Sequence, residues 1–132
     1  FPAAPTALTV AAERPTSDIA ADVYAMIAAT RDIFTSPLAR AALPGLIADM
    51  VADAELNARV MGRFAGAFDA VRDRVAKGVE RGEVHRDVNA DRLVEVIGGT
   101  TLMAMLLEPD KPLGDDWVEQ TSAIVLRGVG GW

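Results

Sequence analysis

Side chains able to do acid–base, nucleophilic or metal chemistry are few in this sequence and poorly spaced for it. The single histidine, His85, stands two residues from Glu83 and two from Asp87, a set of donor types that a metal ion could use. The surrounding stretch, Arg81 to Asn89, reads as a solvated turn, so no metal is assigned to it. Ser17, Ser36 and Ser122 lack the strand–turn–helix setting of an activated nucleophile and have simpler roles as caps or small packing residues. Gly98-Gly99 follows helix-forming residues rather than a strand, which excludes a phosphate-cradling loop. No catalytic residue emerges, no cofactor is expected, and a small all-helical enzyme is the weakest of the functional readings.

Composition narrows the choice further. The 132 residues suit one domain, and 51% hydrophobic with 24% charged residues is the balance of a folded protein. Thirteen basic against nineteen acidic residues leave a net charge of −6, the wrong sign for a surface that grips phosphates. The run from Arg72 to Arg81 mixes signs and reads as a solvated helix face. Cysteine is absent, which excludes disulfides and favours a reducing compartment, so a cytoplasmic location is expected. The longest uncharged stretch worth testing, Val96 to Leu107, is shorter than the roughly 18 to 20 apolar residues a membrane helix needs, and no membrane partner is expected. The sequence opens at Phe1 without methionine or a signal-peptide pattern, which reads as a fragment with something upstream.

The elements that must position any functional group are helices, because apolar residues recur at three- and four-residue spacing and nowhere alternate with period two. Residues 1–17, with Pro2, Pro5 and Pro15, form a connector holding at most a short helix near Thr6 to Glu13, and 18–132 form the domain. The first long helix is expected over Asp18 to Thr35, capped by Ser17, with Asp18 and Asp22 near the positive end of its dipole. Ser36-Pro37 starts a second, kinked at Pro44-Gly45 and ending near Ala52. The third spans Ala54 to Arg81, with an inner stripe of Leu56, Val60, Phe64, Phe68, Val71, Val75 and Val79. An outer face carries Arg59, Arg63, Asp69, Arg72, Asp73, Arg74, Lys77, Glu80 and Arg81, with Asp73–Lys77 as a helical ion pair. Gly82 closes it. Asn89 caps a fourth helix to Leu107, and a fifth covers Asp115 to Val129. The expected fold is all-α, a bundle of about five helices.

The last two helices have more apolar surface than one core can use. Leu93, Val94, Val96, Ile97, Leu102, Met103, Met105, Leu106 and Leu107 cannot share one stripe about 100° wide, and Trp117, Val118, Ile124, Val125, Leu126 and Val129 spread likewise. The spare side should meet a second copy of the chain, giving a homodimer whose shared core is a four-helix bundle.

Several stretches together resemble the C-terminal regulatory domain of TetR-family transcriptional repressors, over roughly Asp18 to Gly130. They are Arg81-Gly82-Glu83 running to Asp87-Val88-Asn89, Pro112-Leu113-Gly114-Asp115-Asp116-Trp117-Val118 with Ile124-Val125-Leu126-Arg127-Gly128, and Asp53-Ala54-Glu55-Leu56. Phe1-Pro2 followed by Leu8 is similar to the end of the family's DNA-binding domain, with Ala3 and Ala4 where a basic residue is usual. The resemblance implies a homodimer, a small-molecule pocket between the first four helices, and operator DNA held only through an N-terminal helix-turn-helix domain outside these residues. For the pocket, apolar and adaptable side chains are the candidates: Met26, Thr30, Phe34, Met50, Met61, Phe64, Phe68, Thr101 and Met105, suiting a small apolar or aromatic effector. For the dimer interface they are Gly98, Leu102, Leu106, Val118, Thr121, Ser122, Val125 and Leu126. The alternative is a helical dimerisation or adaptor module with no small-molecule ligand.

Overall fold

The computed structural model describes residues 18–129. Five helices account for most of them, and there is no strand among the described residues: α1 (Ile19–Thr35), α2 (Pro37–Ala52), α3 (Ala54–Glu80), α4 (Ala90–Leu107) and α5 (Asp115–Val129). The expected connector, its short helix and the Ser17 cap lie outside the described residues, as does the stretch beyond Val129.

The first four helices begin where a short polar side chain can take up the free amides of a first turn. Asp18, expected to be the first helical residue, is instead the cap of α1, accepting from the Ala20 amide at 2.8 Å. Ser36 caps α2 through the Ala39 amide at 3.2 Å, with Pro37 at the first position. Asp53 takes the amides of Glu55 and Leu56 to open α3, and Asn89 takes that of Arg92 to open α4. Helix α2 continues through Pro44 to Ala52 without interruption. The proline sits on an exposed side with Gly45, where its missing amide costs least.

Helix α3 ends in a Schellman turn. The Glu83 amide donates to the Gly78 carbonyl at 2.8 Å and the Gly82 amide to the Val79 carbonyl at 3.1 Å. Gly82 has φ +74°, the left-handed conformation that a glycine adopts without strain. The turn folds Val84 back onto the helix, where a Cβ on Gly78 would lie 2.5 Å from a Val84 methyl. The His85 amide then donates to the Val129 carbonyl at 2.7 Å, tying this turn to the end of α5.

Helix α1 is the centre of the fold, packed against α5, α4 and α2, while α3 packs on α2 and α4. Val23, Met26 and Ile27 of α1 meet Val71 and Val75 of α3, Leu93 and Ile97 of α4, and Val118, Val125 and Val129 of α5 in one cluster. Arg31 fastens α1 to the entry of α5 through the Leu113 carbonyl and the Asp115 carboxylate, both at 3.1 Å.

Three expectations change. Arg74, placed on the solvated face of α3, is 1% exposed and donates from Nε to Asp22 at 2.6 Å, so Asp22 is a buried partner rather than a surface dipole charge. Asp73 and Lys77 form no ion pair among the described residues; Arg72 makes the bonds on that flank, to Asp69 and Asp91 at 2.8 Å each. On α5, Val118, Thr121, Ser122 and Val125, expected at a dimer interface, are already covered by their own chain.

Candidate ligand cavity

The stripe of α3 changes partners along its length. Its C-terminal half, Val71 and Val75, is buried in the main core, but Val60, Phe64 and Phe68 are only half-buried and face an unfilled space. Opposite stand Met26, Thr30, Ile33 and Phe34 of α1, Leu43, Leu46, Ile47 and Met50 of α2, and Val94, Ile97, Gly98 and Leu102 of α4. Together they enclose a cavity of about 320 Å³, within the range of small-molecule sites. Among its walls only Ile47 and Met61 are exposed, so the mouth lies between α2 and α3. Five of the lining residues, Met26, Thr30, Ala39, Val71 and Ile97, are buried.

Seven of the nine pocket candidates meet here: Met26, Thr30, Phe34, Met50, Met61, Phe64 and Phe68. The rings of Phe64 and Phe68 are 6.4 Å apart and tilted by 32°, an aromatic pair on one wall. Thr101 and Met105 do not line the cavity; Thr101 is fully buried, and its hydroxyl donates to the Ile97 carbonyl at 2.8 Å. Sequence reasoning missed the aliphatic wall from α2. Its signal was the run Leu43, Leu46, Ile47 and Met50, a helical stripe in the helix with the smallest share of the main core. Gly98 and Leu102, expected at an interface, belong to this cavity.

No charged residue lines the space. Arg31 and Arg72, next in sequence to the lining residues Thr30 and Val71, are ion-paired elsewhere. Burial works against the Arg31 charge, but hydrogen bonds to Asp115 and Asp32 and their charges outweigh it and hold its pKa above the ordinary arginine value. The carboxylate of Asp91 does the same for Arg72. His85 is half-exposed in its turn, its Nδ1 accepting from the Asp87 amide at 3.1 Å. Among the described residues no three histidine, aspartate or glutamate side chains converge as a metal site, and no helix is long and apolar enough to cross a membrane.

A helical bundle with a central α1 and a lateral apolar cavity agrees with what comparison with known families finds: residues 13–125 match the tetracyclin repressor-like C-terminal domain. The chain belongs to that family. Neither the curated proteins nor the solved structures give a match. As a tetracyclin repressor-like C-terminal domain, the chain is a regulatory domain.

A second feature of this regulatory domain is its uncovered apolar face. Val96, Met103, Leu106 and Leu107 of α4 are exposed, as is Ile124 of α5. Of the interface candidates only Leu106 lies on it, while Leu126 is half-buried against the core.

Proposed function

We propose that this chain is the effector-binding and dimerisation part of a transcriptional repressor, with operator DNA held by a helix-turn-helix domain outside these 132 residues. The observation that carries the reading is the cavity itself: four helices of a regulatory domain enclose an apolar space that the core leaves unfilled. A small apolar or aromatic effector suits these walls, and no catalysis is needed. Release of the operator requires that the effector prefer the arrangement that cannot hold DNA, since equal affinity for both arrangements shifts nothing. A second copy of the chain covers the exposed face of α4 and α5, and the protein works in the cytoplasm.

A thermal-shift screen against lipophilic and aromatic compounds tests the effector part. A true ligand at 100 times its dissociation constant adds about 2.7 kcal/mol of stability. A screen in which no such compound raises the melting temperature favours the adaptor reading, in which the apolar surfaces serve protein contacts alone.

A further inference from the structure

Resting on the reading of this cavity as the effector site, one wall position bears on the size of the effector. Gly98 is the single glycine among the lining residues. It stands in the middle of α4, where glycine is the poorest helix former after proline. Two structural demands ordinarily call for glycine inside a fold, a left-handed backbone or a close approach by another part of the chain. Neither holds at this position. Gly82 alone among the described glycines has a positive φ, and a Cβ built on Gly98 meets no atom within 4 Å beyond its chain neighbours and the surrounding helix backbone. Gly78 gives the contrast, since a Cβ there runs into Val84.

What lies over Gly98 is the cavity. Val94 and Leu102, one helical turn before and after it, line the space, as does the adjacent Ile97, so Gly98 occupies the middle of the cavity-facing side of α4. The opposite side of the same helix carries Val96 and Met103, and Gly99, one turn from each, is exposed with them. Gly45, Gly62, Gly66 and Gly99 have equally open surroundings, but all four are exposed, and the space around them is solvent; Gly98 is half-buried. An apolar cavity of about 150 Å³ already holds benzene, so about 320 Å³ has room for a ring and a chain. We infer that Gly98 sets the length of effector that the cavity accepts: an uncharged, hydrocarbon-rich molecule larger than one ring lies against the bare backbone of α4 and fills room that any larger residue would take.

Calorimetry with benzene, ethylbenzene and butylbenzene reads that room. In the native protein affinity should rise about fourfold per added methylene, so that butylbenzene binds about tenfold or more tighter than ethylbenzene. Gly98→Leu should cut this preference to about twofold or less and leave benzene within about threefold of its native affinity. Gly98→Ala, which fits the open space, carries the test should the leucine variant lose helicity. It should raise the melting temperature of the ligand-free protein by about 2–5 °C and yet weaken butylbenzene about threefold, two opposite signs that a glycine of purely structural role does not give. Gly99→Ala adds the same helix propensity on the other side of α4 and should leave all three affinities unchanged. A butylbenzene preference that survives in both Gly98 variants, or a Gly99→Ala protein that loses as much butylbenzene affinity as Gly98→Ala, overturns the inference while leaving the cavity a ligand site. A Gly98→Leu protein of lower mass than the native one in light scattering overturns it too, by assigning Gly98 to a contact between subunits. If none of the three hydrocarbons binds the native protein up to its solubility limit, the effector reading fails, and this inference with it.

Discussion

Arg74 shows how one side chain can be essential and still escape a hydropathy pattern. Its guanidinium lies buried against Asp22, with Glu83 at 3.6 Å, in a part of the fold where each of the three belongs to a different segment. Removing one partner of a buried pair is far costlier than never having had the pair, so Arg74→Ala should lower unfolding free energy by about 3–5 kcal/mol. Arg74→Lys should recover only part of this, because an ammonium lacks the planar fork that reaches two carboxylates. Urea titration of both variants checks the order, and a loss below 1 kcal/mol for the alanine would contradict it. An arginine among Arg72, Asp73 and Lys77 looks solvated by its neighbours in sequence. The readable clue was the size of the residues around it in space: Ala67, Ala70 and Gly78 share its face and are all buried. Phe64 and Phe68 are legible for the opposite reason, as large rings on a clear apolar stripe. Their truncation to alanine should cost less than the usual 3–5 kcal/mol for a packed phenylalanine, about 1–2 kcal/mol, because each already borders open space. It should weaken binding of a lipophilic compound found by the thermal-shift screen about tenfold or more by calorimetry, and leave the oligomeric mass unchanged.

At the scale of elements, helix ends were the most legible feature, since caps depend on side chains next to the backbone they satisfy. Ser36-Pro37, Asn89 and Gly82 act as local chemistry requires, while the cap of α1 is Asp18, one residue later than expected, and Asp53 caps α3 where no cap is expected. What followed α3 was less legible. Gly82 explains the reversal, but the direction of the returning chain is set by Val84, which seals the core over Gly78. Gly78 raises helix propensity if replaced by alanine, by up to about 1 kcal/mol. Here the added methyl would meet Val84 at 2.5 Å, a contact that must be relieved by moving the turn. Overpacking of this kind costs about 1–3 kcal/mol, so Gly78→Ala should be net destabilising in thermal unfolding. Adding Val84→Ala should recover part of the loss, as coupled neighbours do. A stabilised Gly78→Ala would mean that the turn is free to shift. Helix α2 contrasts with this tight junction: Ala39 is its one buried residue, and Leu38 and Val51 face solvent at 65% and 86% exposure. A wall with so little core of its own is the one that borders the mouth of the cavity.

For the whole molecule, the surplus of apolar residues on α4 and α5 was legible, but its division between core and surface was not. A hydrophobic count cannot say which side of a two-faced helix turns inward; that depends on α1, which packs against both helices and claims Val118 and Val125. The residues left over are Val96, Met103, Leu106 and Leu107, spaced so that they line one side of α4, and Ile124 on α5. Leaving several large aliphatic groups more than half exposed is costly in a monomer, and covering them with the same face of a second chain satisfies both copies at once. Light scattering on the native protein at micromolar concentration should therefore give twice the 13.9 kDa chain mass. Leu106→Glu, at a site 76% exposed in one chain, should give the single-chain mass with helicity intact, because a carboxylate placed in a desolvated interface has no partner. Val118→Ala supplies the contrast. That residue is fully buried within one chain, so its truncation should lower the melting temperature, with a loss of about 2 kcal/mol, while the dimer mass persists at concentrations well above its dissociation constant. A native protein that runs as a monomer, or a Leu106→Glu variant that remains dimeric, would mean that this face has another occupant.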